Sequence, residues 1–112
     1  MSRQVMELAV QIVRFVDASF PGFVECEFAD AVGKRHTIGD KVPVLSLEDL
    51  DADSAYPRRG AVSCVILNRW FGDSGRELVT ISTAEPLAIE STEGLEQFVV
   101  LSTQLSVVPN HR

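Results

Sequence analysis

The chain has 112 residues, 46% of them hydrophobic and 23% charged, which suits one domain with a buried core and excludes a disordered body. Sixteen Asp and Glu against ten Lys and Arg leave a net charge of −6, which repels phosphate backbones and predicts no nucleic-acid partner. Arg3, Glu7, Gln11 and Arg14 interrupt the first apolar positions, so no signal peptide or membrane span is expected and the cytoplasm is the expected compartment.

Val5 to Asp17 carries two overlapping signals. Met6, Leu8, Val10 and Ile12 alternate as in a strand, while Val5, Leu8, Ile12 and Phe15 have helical spacing. Enrichment in Val and Ile selects the strand, with a bulge near Ile12 and Val13 where the apolar phase slips. A turn around Pro21 follows. Val24, Cys26 and Phe28 then alternate with Glu25 and Glu27, the pattern of a strand with one buried face. Asp30 to Lys34 fits a three-residue hairpin loop with Gly33 in the left-handed conformation. That register sets Phe28 opposite His36 and Cys26 opposite Ile38.

Lys41 to Leu45, with Pro43, reads as a short extended edge segment. Ser46-Leu47-Glu48-Asp49 has the spacing of a capping box and predicts one helical turn over Ser46–Leu50. A polar loop runs to Arg59. Ala61 to Phe71 is the strongest strand and is expected to be central. Gly72-Asp73-Ser74-Gly75 reverses the chain, with Gly75 left-handed, so that Trp70 faces Leu78, Leu67 faces Ile81 and Val65 faces Thr83; Trp70 is assigned to the core and Phe71 to the opposite, exposed face. Leu87 with Ile89, and Phe98 to Leu101, supply two further strands, and Gln104 to Val108 a last extended piece. Together these elements predict an all-β fold over residues 1–112: a small closed or partly open barrel, or alternatively a sandwich, of six or seven mainly antiparallel strands.

Three motifs bear on chemistry. Gly72-Asp73-Ser74-Gly75 resembles the nucleophile motif of chymotrypsin-like serine proteases, which implies a histidine base and a buried aspartate. The chain is about half the length of that two-barrel family, and His36 lacks its Ala-Ala-His-Cys surroundings, so the four residues are read as a hairpin turn. Asp49, Asp51 and Asp53 alternate as in a calcium loop, but Ser54 stands where the bend needs Gly and Gly60 where a bidentate Glu is required. Cys26, Cys64, His36 and His111 share no metal-ligand spacing, so no metal or other cofactor is expected, and the two thiols are read as reduced and buried. His111 is expected to fray at the chain end.

No catalytic constellation is complete. The sequence therefore predicts a non-catalytic acidic module that binds another protein or a second copy of itself, in the manner of an inhibitor or immunity protein. Arg58, Arg59 and Phe71 are the candidate interface residues. The alternative is a small-molecule binder or minor enzyme whose site, at the barrel mouth, is lined by His36, Cys26 and Asp30.

Overall fold

The computed structural model describes residues 4–108, so His111 lies outside the described residues. Seven antiparallel strands form one sheet: β1 (Val5–Asp17), β2 (Phe23–Ala29), β3 (Arg35–Lys41), β4 (Arg58–Phe71), β5 (Glu77–Ser82), β6 (Gln97–Leu101) and β7 (Leu105–Val107). Their order is β3-β2-β1-β4-β5-β6, with β7 also paired to β1, and the sheet curls into a half-barrel. It is all-β and partly open, and one curled sheet replaces the two layers of a sandwich.

The curl begins in β1. Met6, Leu8, Val10 and Ile12 are buried, and the register with β2 shifts between Ile12 and Arg14 and again between Phe15 and Asp17. Each shift bends the strand and increases its twist. The first half of β1 thereby pairs with β4 and β7, and the second half with β2. The slip also brings Phe15 against the core, which explains the mixed helical and strand periodicity.

Open edges of a curled sheet need partners. The Ala31 N–H donates to Val99 O at 2.8 Å and the Thr92 N–H to Thr37 O at 2.8 Å, tying the β2–β3 side to the β6 side. Within the curl, Leu8, Ile12, Val24, Ile38, Val62, Val79, Ile81 and Val100 are fully buried in a single apolar cluster. No helix among the described residues is long and apolar enough to cross a membrane.

Several local expectations are corrected. The helical turn, α1, spans Val42–Leu45, upstream of Ser46–Leu50 and in place of the extended edge segment. Pro43 falls in its first turn, where a missing N–H costs nothing, and Val42 and Leu45 both turn into the core. Ser46 ends this turn; its hydroxyl accepts the Glu48 N–H at 3.0 Å without capping a helix. Leu87 and Ile89 form no strand. Thr83 closes that segment into a loop, accepting the Ile89 N–H on its carbonyl at 2.8 Å and donating its hydroxyl to Ile89 O at 2.7 Å. In the β4–β5 pair the turn register Trp70↔Leu78 is as expected, but Ile66, not Leu67, faces Ile81 and Val65 faces Ser82, not Thr83. Leu67 is the extra residue of a bulge between Ile66 and Asn68.

Candidate functional site: a cleft beside the hairpin loops

The β2–β3 hairpin adopts the three-residue loop, with Asp30 N donating to Lys34 O at 2.8 Å and Gly33 at φ +87°. Cys26↔Ile38 and Phe28↔His36 pair across it. Asp30 fastens the loop from within: Oδ1 accepts the Val32 and Lys34 N–H groups at 3.0 Å each, and Oδ2 lies 2.8 Å from His36 Nε2. Burial pushes the Asp30 carboxyl up, but the His36 hydrogen bond and the two backbone donors outweigh it and hold it below the ordinary carboxylate value. His36 is 95% buried and packs between Phe28 and Phe98, with ring centroids 5.3 and 4.8 Å away. Its Nδ1 is buried and has no hydrogen-bond partner.

Beside this pair opens a cleft of about 800 Å³. Its walls come from three places: the hairpin loop with Val32 and Lys34, the β4–β5 turn with Trp70, Asp73, Ser74 and Arg76, and the β6 side with Leu95, Val99 and Leu101. Register explains why it is apolar. Trp70 pairs with Leu78 and Leu78 with Leu101, so the three lie in one row on one face. Val79, Ile81, Phe98 and Val100 occupy the core face, so this row and Val99 face away from the core. Trp70 is accordingly 36% exposed rather than a core residue. Charges lining the cleft balance, with Lys34 and Arg76 against Asp30 and Asp73.

Of the residues singled out from the sequence, Asp30 and His36 line this cleft and Cys26 does not. Cys26 is fully buried; its thiol is pushed up to about 12 by burial, with Asp40, Glu27 and Glu25 adding to the rise against a backbone hydrogen bond at Ile38. Such a thiol is not an activated nucleophile. Cys64 is likewise raised to about 12 by burial and donates to Met6 O at 3.6 Å. Both cysteines are free, and β1 runs between their strands, pairing Ile12 with Cys26 and Met6 with Cys64.

The three interface candidates are not brought together. Arg58 and Phe71 are the two ends of the 14-residue β4, roughly 40 Å apart at about 3.3 Å per residue. Arg58 is engaged by Glu48 at 2.6 Å, Arg59 is exposed, and Phe71 is 71% exposed at the far end, next to the cleft residue Trp70. In the acidic loop, Asp51 spends its carboxylate on the Asp53 N–H at 2.9 Å. No group of three or more His, Cys, Asp or Glu that could hold a metal ion occurs among the described residues.

The sequence reading missed Val32, Leu78, Leu95, Val99 and Leu101 as site residues. The signal was the Trp70↔Leu78 pair: extending it one strand further, to β6, gives the whole row. Comparison with protein-family models, with curated proteins and with solved structures finds no match for this chain.

Proposed function

We propose that the protein is a non-catalytic interaction module of the cytoplasm that docks another polypeptide chain in the cleft between its hairpin loops. The observation that carries this is the outward apolar row Trp70, Leu78 and Leu101, flanked by exposed Val32, Leu95 and Val99. An open apolar surface on an otherwise acidic, charged protein is costly to leave in water and is the usual mark of a docking site. The non-catalytic part rests on His36. Its Nε2–H is committed to Asp30 and its other nitrogen is buried, so neither is available to activate Ser74 or a water. Two buried thiols free of a disulfide are consistent with a reducing compartment.

Val99→Glu tests the reading, because it places a charge on the outward row without entering the core. The parent is expected to self-associate or to retrieve a specific protein from its host, and the variant to lose that contact while melting like the parent. A parent that stays monomeric and retrieves nothing, or a variant that binds as the parent does, overturns it. The cleft volume also supports a second reading, a small apolar ligand lodged beside Asp30 and His36. Retention of such a ligand through native mass spectrometry, with no protein contact, is the outcome that favours it.

A further inference from the structure

We propose that the occupant of the cleft is a second copy of this chain, related by a two-fold axis near the β4–β5 turn; the proposal rests on the docking reading above and names its partner. A charge pattern carries it. Arg14, Arg35, Arg58 and Arg69 each pair with a glutamate of the same chain, at 2.9, 3.3, 2.6 and 3.5 Å. Among the described residues, Lys41, Arg59 and Arg76 are the cations without a side-chain ion pair, and of these only Arg76 lines the cleft, in one tight turn with Asp73, which likewise has no side-chain hydrogen bond or ion pair. A two-fold contact requires a surface that complements itself, so that residue i of one copy meets residue j of the other and the reverse. One free anion and one free cation in the same turn satisfy that requirement, with Asp73 meeting Arg76 of the other copy at two equivalent places.

Global charge points to the same location. Two chains of net charge −6 repel each other, so self-association is least opposed where the local charge cancels. The cleft lining is such a place, with two cations against two anions around an apolar row. In this arrangement Trp70, Leu78, Val99 and Leu101 supply the buried apolar contact, and the two Asp73–Arg76 pairs set the register. Exposed ion pairs contribute little affinity by themselves, so the apolar row has to carry most of it.

Sedimentation velocity on the full chain, from about 1 to about 100 μM, tests the proposal. The parent is expected to dimerise, and Asp73→Arg and Arg76→Asp each to raise the dissociation constant about tenfold or more by setting like charges opposite each other. Mixing the two variants in equal amounts is expected to restore association, because the mixed dimer again pairs opposite charges at both places. Far-ultraviolet circular dichroism of each variant establishes that the fold is intact. A parent that remains monomeric over the whole range, or a mixture that associates no better than either variant alone, overturns the proposal. If that parent still captures another protein in a Val99-dependent way, the cleft remains a docking site and only the identity of the occupant is wrong.

Discussion

Asp30 and His36 are joined at 2.8 Å at the base of the β2–β3 hairpin, so one carboxylate both shapes the loop and fixes the hydrogen-bonding state of a buried imidazole. The ionised carboxylate only accepts, so His36 must present Nε2–H toward it, and Nδ1 lies buried among the aromatic rings with no hydrogen-bond partner. Moving the proton to Nδ1 would bury a donor without an acceptor, which is the costlier arrangement.

The first prediction follows from that carboxylate. Its pKa is below the unfolded value, so the folded state gains stability above the unfolded pKa and loses it as pH falls through the folded pKa. Urea denaturation is expected to show stability falling as the pH drops below about 4, and Asp30→Asn to flatten that part of the curve. At neutral pH the same variant is expected to lose about 1–3 kcal/mol, since the His36 donor loses its acceptor. An unchanged pH profile in Asp30→Asn shows that the pair does not contribute.

Gly33 and Gly75 test the two hairpin registers. Their φ angles are +87° and +82°, and an added Cβ meets nothing within 4 Å at either, so only backbone conformation opposes substitution. Gly33→Val and Gly75→Val should each cost about 1–2 kcal/mol, whereas Ser74→Ala in the same turn should stay within about 0.5 kcal/mol. Thermal melts decide this, and a Gly75→Val protein that melts like the parent would contradict the turn conformation.

Gly60 is constrained by space rather than by φ. A Cβ there would lie 2.7 Å from Ile12 Cδ1 and 2.8 Å from both Ile12 Cγ1 and Leu45 O. Ile12 is fully buried and Leu45 O is backbone, so neither yields easily. Gly60→Ala is expected to destabilise by about 1–3 kcal/mol or to drive α1 away from β4, seen as a lower denaturation midpoint. A variant as stable as the parent would show that α1 packs less closely on β4 than this.

The cysteines give a chemical readout of the core. With both thiols raised to about 12, the folded protein is expected to resist iodoacetamide at pH 8, and both to react once denaturant exposes them. Mass spectrometry of the two samples distinguishes these states. Rapid alkylation of the native chain would place at least one cysteine outside the core.

By itself the sequence determined those features set by neighbouring residues. Alternation in β1, β2 and the first part of β4, the slip near Ile12, and the left-handed glycines of both hairpins are local matters of side-chain period and turn chemistry. Pairing Cys26 with Ile38 followed from loop length alone. Tertiary structure decided what local preference left balanced. Val42–Leu45 carries a proline that suits an edge strand or a first helical turn equally, and burial of both Val42 and Leu45 against the barrel selects the turn. The bulge at Leu67 and the loop from Thr83 to Ile89 depend on which strand each segment meets. Only the assembled sheet brings Val99 beside Ala31 and aligns Trp70, Leu78 and Leu101, because contacts between residues far apart in the chain leave no period in the sequence.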